Sequence, residues 1–295
     1  MNLLFAINQN FTDLLCNCIR SIVNNGGADH YDAYILHSDL QDDHKIRIDQ
    51  MAGEKVTFHY IAVDESMFEG FPESNRYPKQ IYYRLAAPLL LPANLERVLY
   101  LDVDLVVINS LEELYHTDSE GNYYVACSHV KELLTKFNQL RLGVEEVVPY
   151  INTGVMVMNL TALRKNLTIE QIRETAQKKM HTFLLPDQDL LTVMHGERIK
   201  LVDTMRYNLS DRLLAYHNAN PRNQPLDIKW VRENVVIIHY YGKNKPWKSG
   251  YMGVLGVFYN EIANYYYAIT EKSPTVKLGI PACQKIPMLD QHHDQ

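Results

Sequence analysis

The chain has 295 residues, 46% of them apolar and 22% charged, enough for one sizeable α/β domain with an appendage and ordinary for a globular enzyme. Its net charge of -6 leaves no basic stripe to track a phosphate backbone, which excludes a nucleic-acid binder. No run approaches the roughly eighteen consecutive apolar residues of a membrane span, and "MNLLFAINQNF" lacks the parts of a signal peptide, so a cytoplasmic protein is expected.

"NLLFAIN" (2–8) reads as a strand, and Leu14, Leu15, Cys18, Ile19, Ile22 and Val23 follow at helical spacing. After Gly26-Gly27, "YDAYILHS" (31–38) predicts a second strand, 41–51 a polar helix and "KVTFHYIAV" (55–63) a third strand. This alternation predicts a mostly parallel sheet with helices on its faces. The stretch 77–92 reads as a helix that Pro88 ends or kinks, leading into a fourth strand, "RVLYLDVD" (97–104). Further strands are expected at 122–128, 154–160, 198–202 and 234–241, and Thr168 with Gln171 reads as a capping box. Cys16, Cys18, Cys127 and Cys283 have no zinc-like spacing and read as reduced thiols. From 251 to 295 the chain becomes a tyrosine-rich, partly helical tail, so a catalytic domain is expected over 1–250.

Asp102 and Asp104 stand at the carboxyl end of a strand that otherwise reads as buried. Positions i and i+2 share one face of a strand, so both carboxylates can reach one centre beyond the strand end, where ligands bind in open α/β sheets. Two like charges held together are stable around a divalent cation, or when one carries a proton. The plainer reading is that one caps the next segment and the other is solvated. His239 ends another apolar strand and is followed by Gly242 and Lys245. A histidine there serves either as a hydrogen-bonded core residue or as a ligand; glycine allows close backbone approach and lysine supplies charge for phosphate. Two carboxylates and an imidazole favour Mn²⁺, with Mg²⁺ as its substitute, and the two stretches together suggest a metal–diphosphate site.

At this point "RVLYLDVD", "YINTGVMVMNL", "LLPDQDLL" and "IIHYYGKNKPW" resemble, in order and spacing, the motifs of glycosyltransferase family 8. The resemblance covers residues 2 to about 248. It implies a GT-A fold (Rossmann-like, mostly parallel, flanked by helices), a UDP-sugar donor, Mn²⁺, and hexose transfer with retention to a glycan, glycolipid or glycoprotein acceptor. By the same resemblance Asp102, Asp104 and His239 are the metal ligands, with Val103 among the donor-binding residues. Ala6, Asn8 and Asn10 fall at uracil and ribose, and Arg84 at the donor sugar. Asn152, Thr153 and Gly154 lie near C2, and Asp187 binds the far hydroxyls and braces Arg84. Gln188 lies beside the anomeric carbon, and Gly242 and Lys245 hold the diphosphate. Simpler roles stand beside these: turn chemistry for Asn152, a helix N-cap for Asp187, a surface ion pair for Arg84 and packing for Trp247. Asn8 stands where the family usually has aspartate at the base-recognition position, and an amide oxygen there can still accept the uracil N3 proton. His129 stands where the family often has aspartate near the donor sugar, which leaves glucose, galactose or another hexose open.

Retention needs either a double displacement or a same-face attack. Gln188 is a poor nucleophile and Asp189, the charged catalytic candidate beside it, is expected at helical spacing to turn away, so same-face attack is favoured. Competing expectations are a glycogenin-like self-glucosylating protein, an inactive UDP-sugar-binding protein and a nucleotidyltransferase. The last lacks its glycine-rich phosphate loop here. The tail's lysines are offset by acids, so at most peripheral contact with the inner face of a membrane is expected. A homodimer stays open.

Overall fold

The computed structural model describes residues 1–72, 80–128, 137–138, 140–144 and 148–263. In chain order the strands are β1 (Asn2–Ala6), β2 (Tyr31–His37), β3 (Val56–Ala62), β4 (Arg97–Leu101), β5 (Leu105–Val107), β6 (Tyr124–Ser128), β7 (Ile151–Asn159), β8 (Ile199–Val202) and β9 (Ile237–His239). The longer helices are α1 (Thr12–Asn25), α2 (Asp42–Asp49), α3 (Gln80–Leu90), α4 (Ile169–Lys179), α5 (Pro186–His195), α6 (Asp211–Asn218) and α7 (Ile228–Asn234). Seven strands form one sheet in the order β3-β2-β1-β4-β7-β6-β8, and β5 pairs with β9 in a second, antiparallel sheet. Within the large sheet β7 alone runs against its neighbours.

Strand β4 reads as an unbroken apolar run because both its faces are covered. Leu99 and Leu101 enter a core with Leu15, Cys18 and Ile19 of α1, while Val98 and Tyr100 enter another with Tyr82 and Leu85 of α3. Each such fully buried Leu or Ile contributes about 2 kcal/mol over its exposed state. Cys16, Cys18 and Cys127 are free thiols inside these cores, and burial pushes the Cys16 thiol up to about 12, so they stay protonated. Cys283 lies outside the described residues.

The expected strand over 97–104 is two strands with a junction. After Leu101 the chain leaves the large sheet, and β5 resumes against β9 with Leu105 opposite His239. Asp102, Val103 and Asp104 are the three residues that change partners: the Asp102 N–H donates to the carbonyl of Gly154, and the Asp104 carbonyl accepts from Tyr240. The strand expected over 234–241 is likewise shorter, Ile237–His239, and lies in the small sheet. Helix α3 carries on through Pro88 to Leu90, and the Arg164 guanidinium takes the carbonyls of Pro88, Leu91 and Pro92. The capping box forms as expected, the Thr168 N–H donating to Gln171 Oε1 at 3.0 Å and the Gln171 N–H to Thr168 Oγ1 at 3.2 Å.

A third core joins β5 and β9 to the chain beyond 250: Val106, Leu209, Val231 and Ile238 pack with Leu255, Phe258 and Ile262. Trp247 belongs here, its ring 5.3 Å from that of Tyr259, so it packs. The rest of the tail lies outside the described residues. Among the described residues no helix is long and apolar enough to cross a membrane.

Candidate active site

The β4–β5 junction sits where three structural devices converge. First, the β6–β7 pairing slips: Ala126 faces Met156, but Cys127 faces Asn152, so residues 153–155 bulge out of the ladder. Gly154 stays against Asp102 through the β4–β7 register, in which Leu101 faces Val155. A Cβ on Gly154 would lie 2.4 Å from Cε1 of His239 and 2.5 Å from Oδ2 of Asp102, contacts no side chain can make, so only glycine fits. Second, the β5–β9 pairing sets His239 beside the two aspartates. Third, α5 starts at Pro186 and points its first turn at the junction.

One ligand atom each of Asp102, Asp104 and His239 lie within 4.8 Å of one another. The His239 ring is 1% exposed, with Nε2 2.9 Å from Asp104 Oδ1 and 3.7 Å from Asp102 Oδ2. Lys245 donates to the other Asp104 oxygen and to the Tyr240 carbonyl. Burial acts to raise the Asp104 pKa, but His239 and Lys245 outweigh it and hold the carboxyl well below the ordinary carboxylate range. Gly242, at φ +88°, turns the chain between His239 and Lys245 in the left-handed region that glycine favours.

Arg84 of α3 joins this cluster to α5. Its Nη1 lies 3.2 Å from both Asp102 Oδ1 and Asp187 Oδ2, and donates to the carbonyl and Oγ1 of Thr153 at 3.3 Å. Burial acts to lower its pKa, but Asp102, Tyr100 and Asp187 raise it above the ordinary value, so it stays cationic. It is therefore a buried bridge and not a surface ion pair. Asp187 is not the N-cap either: Leu185 holds that position, and Asp187 accepts from Thr153 Oγ1 at 2.6 Å. Asn152 does make the expected turn contact, its Oδ1 accepting from the Gly154 N–H at 3.0 Å. Among the described residues Gln188 Oε1 is buried without a hydrogen-bond partner.

Asp189 is not joined to this cluster. Its carboxylate is fully buried, bound by both Nη atoms of Arg141 at 2.6 and 3.0 Å, by the Tyr150 hydroxyl at 2.8 Å, and by the N–H groups of Leu184 and Leu185. The expected turning-away therefore has a physical partner. Asn8 caps the one-turn helix that follows it, accepting from the Asn10 N–H at 3.0 Å. The register that sets Leu4 opposite Tyr100 carries Ala6 level with Asp102, so Ala6, Asn8 and Asn10 lie at the same end of the sheet. His129 lies outside the described residues.

Two participants escaped the sequence reading. Tyr100 donates its hydroxyl to Asp102 Oδ1 at 2.8 Å, a contact the i, i+2 spacing could have suggested. Asn208 meets His239 Nδ1 at 2.9 Å from 31 residues away, and no local signal marks it.

The residues fit a divalent cation: two carboxylates and one imidazole converge under a glycine that clears the space. The chain is 27% identical over 252 residues to the lipopolysaccharide 1,2-glucosyltransferase of Escherichia coli, covering 83% of this chain and 73% of that protein. It is 25% identical over 265 residues to the lipopolysaccharide 1,3-galactosyltransferase of Salmonella typhimurium, covering 84% and 73%. Among solved structures, the galactosyltransferase LgtC in complex with donor and acceptor sugar analogues matches at a TM-score of 0.74 and 22% identity, over 90% of this chain and 96% of that one. GlyE of Streptococcus pneumoniae matches at 0.64 and 18%, over 92% and 64%. The sheet order and these neighbours make the fold GT-A. The model of the family described as glycosyl transferase family 8 matches residues 2–250, and the chain belongs to that family.

Proposed function

We propose that this protein is a retaining hexosyltransferase that moves glucose or galactose from a UDP-sugar to a glycan, glycolipid or glycoprotein acceptor, with Mn²⁺ held by Asp102, Asp104 and His239. The observation that carries the reading is the convergence of those three groups under the Gly154 clearing, one arginine away from Asp187. When bound, the ion supplies Lewis-acid charge to the donor's diphosphate. Lys245, beside Gly242, adds a second positive charge for the phosphates. Ala6, Asn8 and Asn10 lie where uridine would rest. An amide at Asn8 can still accept the N3 proton of uracil.

Arg84 and Asp187 are fixed to each other and to Thr153 before any sugar arrives, so they would orient the hexose without reorganising. Gln188 Oε1 has no partner among the described residues, which suits a group that meets the anomeric centre. Asp189 is committed to Arg141 and Tyr150, which leaves the double-displacement route without a free carboxylate on that turn. Same-face attack follows, with the acceptor's proton passing to the departing phosphate oxygen. The two lipopolysaccharide relatives are named for glucosyl and galactosyl transfer, which supports a hexose donor.

The test is a donor screen. UDP release from UDP-glucose, UDP-galactose and their N-acetyl forms is followed with Mn²⁺ and again with a chelator. Mn²⁺-dependent release from one of the two hexoses is expected; release from none, or release indifferent to chelation, overturns the reading.

A further inference from the structure

A histidine that binds a cation through Nε2 must carry its hydrogen on Nδ1, and something must make it do so. Here a chain of side-chain amides decides the matter from an unambiguous starting point. The Gly154 backbone N–H can only donate, and its acceptor is Asn152 Oδ1 at 3.0 Å. Asn208 approaches that same oxygen at 3.1 Å, so the approaching atom must be its NH₂ group. The Asn208 oxygen is then turned the other way, and it faces His239 Nδ1 at 2.9 Å. An oxygen there requires a hydrogen on Nδ1.

We propose that Asn208 is a positioning residue that holds His239 in the form protonated on Nδ1, through an amide relay that begins at the Gly154 N–H. The assignment holds for the neutral ring and for the imidazolium alike; only Nε2 differs between them. Nε2 points at Asp104 and Asp102, at 2.9 and 3.7 Å. In the neutral ring its lone pair faces two carboxylates, an arrangement that repels unless a cation lies between them.

The backbone makes the relay rigid. The Leu209 N–H donates to the Ile237 carbonyl and the His239 N–H to the Leu209 carbonyl, which splints Asn208 alongside β9. Asn208 is 2% exposed and Asn152 5%, so water does not compete for either amide. The relay also joins two functions: Asn152 is the residue assigned to the sugar near C2, and His239 the one assigned to the metal. The inference rests on the metal reading only in giving the relay a purpose; the direction of the hydrogen bonds is independent of it.

The experiment has two arms. In ¹⁵N-histidine-labelled protein without metal, long-range ¹H–¹⁵N spectra of His239 carrying a single ring hydrogen are expected to show that hydrogen on Nδ1. A ring protonated on Nε2 overturns the relay. In the second arm Mn²⁺ affinity is read by paramagnetic resonance for wild type, Asn208→Leu and Asn208→Asp, with circular dichroism to confirm folding. Asn208→Leu removes the acceptor and is expected to weaken Mn²⁺ binding about 10- to 100-fold. Asn208→Asp still accepts from Nδ1 and is expected to bind Mn²⁺ within a few-fold of wild type, while its KM for UDP-sugar rises because it no longer holds Asn152. A folded Asn208→Leu protein with wild-type Mn²⁺ affinity overturns the proposal. Should wild type bind no Mn²⁺, the metal reading falls, and the protonation state in the first arm decides the relay by itself.

Discussion

The chain contains two functional-looking Asp-x-Asp tripeptides, "DVD" at 102–104 and "DQD" at 187–189, with opposite fates. At a strand end the two carboxylates converge: Asp102 and Asp104 share one cluster with His239. In the first turn of α5 they part: Asp187 goes to Arg84 and Thr153, Asp189 to Arg141 and Tyr150. The β4–β5 junction leaves both carboxylates beside His239, whereas 100° per residue in α5 swings positions i and i+2 about 200° apart. The first pair concentrates charge for a ligand to neutralise. The second divides one carboxylate for the site from one that anchors the helix carrying it.

The comparison predicts that equal charge removals have unequal consequences. Asp104→Asn is expected to lower kcat by about 10³-fold, since a lost metal-holding carboxylate removes several kcal/mol of transition-state stabilisation. Stability should change less, because neutralising Asp104 also relieves its repulsion with Asp102, which offsets part of the pairing lost with His239 and Lys245. Steady-state transfer assays with Mn²⁺, paired with urea unfolding, read both; an active variant would dissolve the distinction. Asp189→Asn is expected to do the reverse. It leaves the Arg141 guanidinium without its counter-charge and costs about 3 kcal/mol of stability. Below its melting midpoint the variant should bind Mn²⁺ as wild type does, and a lost metal site would show that Asp189 serves the first cluster after all.

The Asp pairs also mark how far the sequence could be read. The 102–104 pair stood out because two charges end an apolar run, and the divergence at 187–189 followed from helical spacing after a proline. What the sequence could not reveal is what each carboxylate meets. Arg141, Tyr150 and Asn208 are separated from their partners by tens of residues, and they depend on the β6–β7 slip and on a small sheet that takes β5 and β9 away from the large one. Hydrophobic period sets element type; it carries no information on which polar residue will be delivered to which end. Tyr100 is the exception, since its place two residues before Asp102 on one strand face is local.

Gly154→Ala probes the first pair through shape and not through charge. The added Cβ would fall within 2.5 Å of Asp102 Oδ2 and nearer still to His239, so one of them must move. Overpacking of this kind costs about 1–3 kcal/mol, and the expected result is a folded protein with Mn²⁺ affinity lowered roughly tenfold or more. Unchanged affinity would mean that the clearing is not part of the metal site.

The smallest expected effect sharpens the anchoring side of the comparison, at the far end of α5. His195 closes that helix with its ring against Tyr123 at 5.2 Å and Tyr124 at 6.0 Å, and its Nε2 is buried without a hydrogen-bond partner among the described residues. Burial lowers its pKa from 6.5 to about 4, against a smaller opposing effect of the Met194 backbone. The sign follows from linkage. Between about pH 6.5 and 4 the unfolded chain takes up a proton that the folded one refuses, so stability is full above this window and falls as the pH drops through it. The loss should reach about 3 kcal/mol by pH 4. His195→Phe keeps the aromatic packing and removes the titration, so urea unfolding at pH 7.5 and pH 4.5 should show a shallower drop for the variant than for wild type. Identical drops would leave His195 a spectator.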